Sequence, residues 1–154
     1  MSIKPADEIN EKGTGFIKNV AIDAVIFGFH DNQLKVLLLS YKNTSYFALP
    51  GGFIRETENL NEAARRVASE RTGLDNIYLE QFYVFGDYSR YDPEPFKTIM
   101  NVNGGIAPEN HWLLQRFISI GYYALVDFTK ATPTPAQIFD SCNWYDLNSM
   151  PPLI

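Results

Sequence analysis

A chain of 154 residues fits one ordinary domain and is long enough to bury a single hydrophobic core. Its composition is globular, 45% hydrophobic and 20% charged, and a net charge of −5 offers no broad basic face to a phosphate backbone, so non-specific nucleic-acid binding by these residues alone is disfavoured. Cys142 is the single cysteine, which excludes an internal disulfide and a cysteine-rich zinc site, while the absence of a long apolar run and the polar start MSIKPADEINEKG point to a soluble, cytoplasmic protein with no membrane association.

In chain order, residues 1–15 are polar and read as a loose N-terminal arm, followed by one domain over 16–154. Asn19 to His30 and Gln33 to Tyr41 are apolar, rich in β-branched and aromatic residues, and separated by Asp31-Asn32, which predicts a β-hairpin. The run Val36 to Leu39 predicts a strand buried on both faces. From Leu60 to Thr72 the period becomes helical, with Leu60, Ala63, Ala64 and Val67 on one stripe. Asn59 and Glu62 have the spacing of a capping box, and Gly73 is the expected stop. Ile77 to Gly86 and Arg116 to Phe128 read as strands. Between them Asp87 to Gln115 is a long polar segment with prolines and glycines, expected to be functional or disordered, apart from a short helical turn at His111 to Leu114. Thr129 to Gln137 reads as a surface connection, and Ser141 to Leu147 as a last strand or turn. The ending Met150-Pro-Pro-Leu-Ile154 has two readings, a cut from a longer protein or two aliphatics packed on the core. The pattern implies an α/β or α+β fold.

Leu49-Pro-Gly-Gly52 reads as a turn whose glycines permit positive φ or a close backbone approach. The helix after it sets Glu58, Glu62, Arg66 and Glu70 at four-residue steps, a spacing equally expected of a solvated face with alternating charge pairs.

The whole stretch LPGGFIRETENLNEAARRVASERTGL resembles the Nudix box, with Gly52, Glu58, Arg66, Glu70, Gly73 and Leu74 in register. The resemblance implies an α/β/α sandwich around a mixed β-sheet. It also implies a magnesium-dependent hydrolase site held by helical carboxylates. Two positions depart from the pattern: Val67 and Arg71 stand where the family has glutamates. Val67 cannot ligate, and Arg71 places a fixed positive charge beside the metal position, which leaves Glu70 and Glu58 as a poor cradle for a hard cation. Arg71 could pair with a ligand's phosphate or carboxylate, or be an exposed cation in the last helical turn.

Together with AIDAVIFGFHDNQLKVLLLSYK, IYLEQFYVFGD and RFISIGYYALV, the chain is similar to a subgroup of Nudix-related transcriptional regulators. In these a Nudix-like domain binds ADP-ribose or a sugar such as arabinose, and a winged-helix domain binds DNA. Arg66 to Leu74 looks like the sugar-responsive branch. The resemblance implies a homodimeric effector-binding domain that needs no cofactor for binding, and DNA contact only through a domain absent from this chain. Candidate ligand residues are Tyr46, Phe47, Arg55, Arg71, Tyr88 and Arg90, with Tyr91 nearby and Trp112 and His111 as capping residues or loop anchors. Asp23, within an apolar strand, must be paired or exposed, and His30 reads as a turn residue. The competing expectation is a magnesium-dependent hydrolase of ADP-ribose or a related nucleoside diphosphate, using Glu58, Glu62 and Glu70 with Glu94 or Glu109. A ligand-free scaffold is the third. Glu62 lies two helical turns from Glu70, about 12 Å at 1.5 Å per residue, too far to share one ion.

Overall fold

The computed structural model describes residues 13–105, 108–129, 131–135 and 139–154. Residues 1–12 of the expected arm, and parts of the 129–137 connection, lie outside the described residues; Gly13 to Gly15 form a turn in which both glycines have positive φ.

The hairpin stands at the centre of the fold. β1 (Phe16–His30) pairs antiparallel with β2 (Gln33–Tyr41) across Asp31 and Asn32, both left-handed at φ 46° and 60°. That is the geometry a two-residue hairpin needs, and Asn and Asp tolerate it better than other side chains. Two further strands come from the stretch read as a glycine turn, β3 (Phe47–Ala48) and β4 (Gly51–Arg55). After α1 (Leu60–Thr72) come β5 (Glu80–Phe85), α2 (Glu94–Val102), β6 (Ile118–Val126) and β7 (Phe139–Asp146). The sheet order is β3-β2-β1-β6-β5, with β4 also on β1 and β7 on β2. β1 and β6 run parallel from Val20↔Ile118 to Gly28↔Val126, and the other pairings are antiparallel, so the sheet is mixed as expected.

α1 covers one face of this sheet. Ala63, Ala64, Val67 and Ala68 are fully buried against Ile22, Ala24, Ile26, Leu37, Leu39, Ile54 and Tyr122, whereas Leu60 is exposed, so the apolar stripe begins one turn later than its sequence implied. The helix starts with Glu62 Oε2 accepting the Asn59 N–H at 2.8 Å and stops at Gly73, φ 71°, whose N–H reaches Ser69 O at 2.7 Å.

The described residues of the Asp87–Gln115 segment hold more regular structure than its composition suggested. They include one-turn 3₁₀ helices at Tyr88–Arg90 and Trp112–Leu114 as well as α2, whose Phe96 meets the Tyr41 ring at 6.3 Å. At the C-terminal end Leu153 bridges Phe47, and the Ile154 N–H donates to Phe47 O at 3.0 Å, with both aliphatic side chains left partly exposed.

Candidate functional site

Close approach, not positive φ, explains the two glycines of the box. A Cβ at Gly52 would stand 2.8 Å from Val67 Cγ2, and one at Gly51 would stand 2.6 Å from Asp23 Oδ1. β4 is thereby drawn against both α1 and β1. Two helix side chains, Arg66 before Val67 and Arg71 after it, meet the β4 backbone.

Arg66 is the hub of this junction. Its Nε donates to Glu58 Oε2 at 2.9 Å, its Nη1 to Glu70 Oε2 at 3.0 Å and its Nη2 to the Phe53 carbonyl at 2.6 Å. Glu58 also accepts the Arg55 N–H at 2.8 Å, and the Arg55 guanidinium lies 3.5 Å from Glu70 Oε1. Burial pushes the Glu58 carboxyl up, but the hydrogen bonds from Arg66 and from the Arg55 N–H, with both guanidinium charges, hold it below its ordinary value. The solvated-face reading therefore fails for Glu58, Arg66 and Glu70, whose side chains are largely buried and paired with one another. Glu62 is separate from them, engaged at the helix start.

Arg71 is not the exposed cation of a last turn. It is 9% exposed, its Nε donates to the Gly51 carbonyl at 2.9 Å, and its guanidinium stands 5.8 Å from the Phe139 ring centroid. A magnesium ion needs oxygen ligands presented together. Here Glu58 and Glu70 are held by arginines, the Gly51 carbonyl takes a guanidinium, and Val67 is packed on Gly52. Among the described residues no group of three histidine, cysteine or acidic side chains converges as metal ligands. The residues present do not fit the ion in this arrangement. Glu94 is engaged with Lys97 at 2.9 Å on the first turn of α2.

Beneath the glycines lies a second polar group. Asp23 sits on β1 directly between Gly51 of β4 and Gly121 of β6, and its Oδ2 accepts the Ser119 hydroxyl. It is thus paired rather than exposed. Burial pushes its carboxyl up, against the lowering pull of the Ser119 hydrogen bond and of the Arg90 charge. Tyr41 is within electrostatic reach of Asp23 and Arg71, and burial pushes its hydroxyl up to about 12.

The other candidate residues are dispersed. Tyr46 anchors a loop through its carbonyl, which takes the Tyr41 N–H at 3.0 Å, and Phe47 lies edge-on to Tyr145 at 5.6 Å. Tyr88 is exposed with Arg116 5.3 Å from its ring, while Arg90 donates to Phe85 O at 3.1 Å. Tyr91 donates to Leu114 O at 2.9 Å. His30 lies 3.2 Å from Asp31 and 3.5 Å from Asp127.

A cavity of about 280 Å³ lies at the start of β1, which sequence reasoning did not locate. Phe16, Phe117 and Trp112 form its aromatic walls, with Lys18, Asn19 and Gln115 as polar lining. Trp112 stacks on Phe16 at 6.1 Å and 12° and meets Phe53 at 4.6 Å, so one wall adjoins the strand whose carbonyl holds Arg66. The available signal was the aromatic spacing Trp112 and Phe117 near a strand start; the sequence alone favoured Trp112 as a loop anchor.

Known proteins agree on what this architecture is. Residues 18–154 match the model of the NUDIX domain. An ADPR-responsive transcriptional repressor, NtrR, of Acinetobacter baylyi is 31% identical over 133 residues, covering 83% of this chain and 44% of the repressor. An ADP-ribose pyrophosphatase of Methanocaldococcus jannaschii is 34% identical over 86 residues, 54% of this chain and 47% of the enzyme. The chain therefore spans less than half the length of these curated relatives. Among solved structures, the NUDIX domain of Shewanella oneidensis NrtR complexed with ADP ribose is 25% identical with a TM-score of 0.61, covering 95% of this chain and 85% of that one. The box in register, the mixed sheet with its helix and the match over residues 18–154 place this chain in the NUDIX domain family.

Proposed function

We propose that this domain binds a small effector of the ADP-ribose or sugar class without cleaving it, as the sensing part of a transcriptional regulator. The observation that carries the reading is Arg71 on the Gly51 carbonyl. The chain has a fixed cation, Arg71, where the resemblance leads one to expect a glutamate, and Glu58 and Glu70 are held by Arg66. Hydrolysis of a diphosphate needs metal to activate water and to neutralise phosphate charge, whereas binding needs only shape, aromatic faces and directed polar groups. The likeness to an ADPR-responsive repressor and to a NUDIX domain complexed with ADP ribose supports the effector class. The Trp112 cavity has room for one ring, a pentose or a nucleobase, between aromatic walls and amide side chains. In this reading DNA is contacted by a different domain, in keeping with the net charge of −5.

Thermal-shift and calorimetric titration with ADP-ribose and free pentoses, in chelator and then in magnesium, tests the reading. The expected result is stabilisation in chelator, with no nucleotide released when magnesium is added. Metal-dependent cleavage of ADP-ribose at ordinary enzymatic rates overturns it. That outcome would favour the second reading, a pyrophosphohydrolase, which the kinship with an ADP-ribose pyrophosphatase and the retained Gly52, Glu58, Arg66 and Glu70 support.

A further inference from the structure

Asn103 is the one asparagine of this chain that a glycine follows. It caps the C-terminal end of α2, and its side chain ties the helix to the loop after β2. Nδ2 donates to Lys42 O at 3.1 Å and to Ile99 O at 2.8 Å, while Oδ1 accepts from Asn43 Nδ2 at 3.0 Å. With the Phe96 ring on Tyr41, these bonds fasten α2 to the end of β2. The glycines are as necessary as the amide. Gly104 has φ 86°, a conformation L side chains rarely adopt. A Cβ at Gly105 would stand 3.0 Å from Met100 O, the carbonyl to which the Gly105 N–H donates at 2.9 Å. Two structural demands thus place a hydrolysable Asn-Gly pair at an exposed helix end. The Gly104 N–H itself is held loosely, 3.4 Å from Asn101 O.

We propose that Asn103 is a site of spontaneous deamidation, and that its conversion unfastens α2 from the β2–β3 loop. In the reaction the Gly104 backbone nitrogen gives its proton to water and attacks the Asn103 side-chain carbonyl carbon. The new C–N bond closes a succinimide ring as the bond to Nδ2 breaks and ammonia leaves. Water then opens the ring, at the side-chain carbonyl to give aspartate or at the backbone carbonyl to give isoaspartate. The sum is amide plus water to carboxylic acid plus ammonia, with no oxidant, reductant or cofactor. Glycine has no side chain to shield its own nitrogen, which is why this asparagine is favoured over the others. Turning the amide onto Gly104 breaks its bonds to Lys42, Ile99 and Asn43, so attack proceeds while the clasp is open. Afterwards the clasp cannot close as before. Both Nδ2 hydrogen bonds are gone, and a carboxylate faces the Lys42 and Ile99 carbonyl oxygens at the negative end of the helix dipole. The modification is a one-way release, and it does not depend on the effector reading.

Peptide mapping of the 154-residue chain, incubated in mildly alkaline buffer, reads conversion site by site, and hydrogen exchange of the α2 amides reads the helix. Asn103 is expected to convert first among the asparagines, to a mixture of aspartate and isoaspartate. Asn43→Ala removes one bond of the clasp and should speed that conversion about two- to fivefold, the weight of one exposed hydrogen bond. The converted chain, separated by charge, and Asn103→Asp should each melt about 2–4 °C below wild type. In both, exchange should quicken across Glu94–Val102 by a larger factor than across α1, which separates release of one helix from damage to the fold. If Asn103→Asp does not fold, the converted wild-type chain still makes the comparison. Conversion at other asparagines while Asn103 stays intact overturns the proposal. So does a converted chain whose α2 exchange matches wild type, since the clasp then holds nothing, and so does a conversion rate indifferent to Asn43→Ala.

Discussion

Two buried carboxyl groups within the same small region are tuned in opposite directions, and their neighbours explain why. Glu58 is held below its ordinary 4.5 by arginine partners that outweigh its burial, so its pairing stabilises the fold at neutral pH and is lost as pH falls through the lowered folded value. Asp23 is raised above its ordinary 3.8 because burial outweighs its single hydroxyl partner and the distant Arg90, so its cost is absent at low pH and grows as pH rises through the raised folded value. Melting curves of Glu58→Gln and Asp23→Asn should therefore diverge. The first should lose about 1–3 kcal/mol at pH 7, with the difference from wild type shrinking below about pH 4. The second should melt roughly 2–4 °C higher at pH 7, the shift expected from about 1 kcal/mol in a domain of this size, with no gain at low pH. Arg71→Glu turns the guanidinium on the Gly51 carbonyl into a repelled carboxylate, and melting should fall by several degrees. The sequence marked Arg71 as the anomaly of the box. Its partner, a backbone carbonyl 20 positions earlier, was not legible, because no pattern of side chains records which carbonyl a guanidinium will meet.

Among the elements, those with a long, regular period were the ones that could be read. The β1–β2 hairpin carries its turn in Asp31-Asn32, and α1 has its start in Asn59 and Glu62 and its stop in Gly73. β4 was hidden because two of its five residues are glycines, which signal a turn in isolation; their need for small size comes from Val67 and Asp23, remote in sequence. α2 was hidden for a different reason. It is nine residues long with only Ile99 buried, and Pro93 and Pro95 frame it as a loop. The contact between β4 and α1 is itself testable. Gly52→Ala forces its methyl group against Val67 and should cost about 1–3 kcal/mol, while the double variant Gly52→Ala/Val67→Ala should cost less than the two single losses combined, a coupling that denaturant titration measures. Gly73→Ala should cost about 1 kcal/mol, through the left-handed conformation that ends the helix.

For the molecule as a whole, the register of the box identified its family. The cavity beside Trp112 and the dispersal of the candidate ligand residues were beyond reach, since both depend on how distant loops meet. Cys142, buried on β7, has a thiol pushed up to about 12 by burial, and the native chain is expected to react with thiol reagents at neutral pH only as fast as it unfolds. The nine-residue parallel ladder between β1 and β6 also determines when the fold can close. Val20 waits for Ile118 and Gly28 for Val126, so the central strand cannot be flanked on both sides until some hundred further residues exist. Closing so distant a pairing before any reward for it makes folding slow, on the millisecond-to-second scale of topologies dominated by non-local contacts. A nascent chain halted before Ile118 would then carry a finished hairpin and a capped helix with their apolar faces open to whatever chaperone or neighbour is nearest.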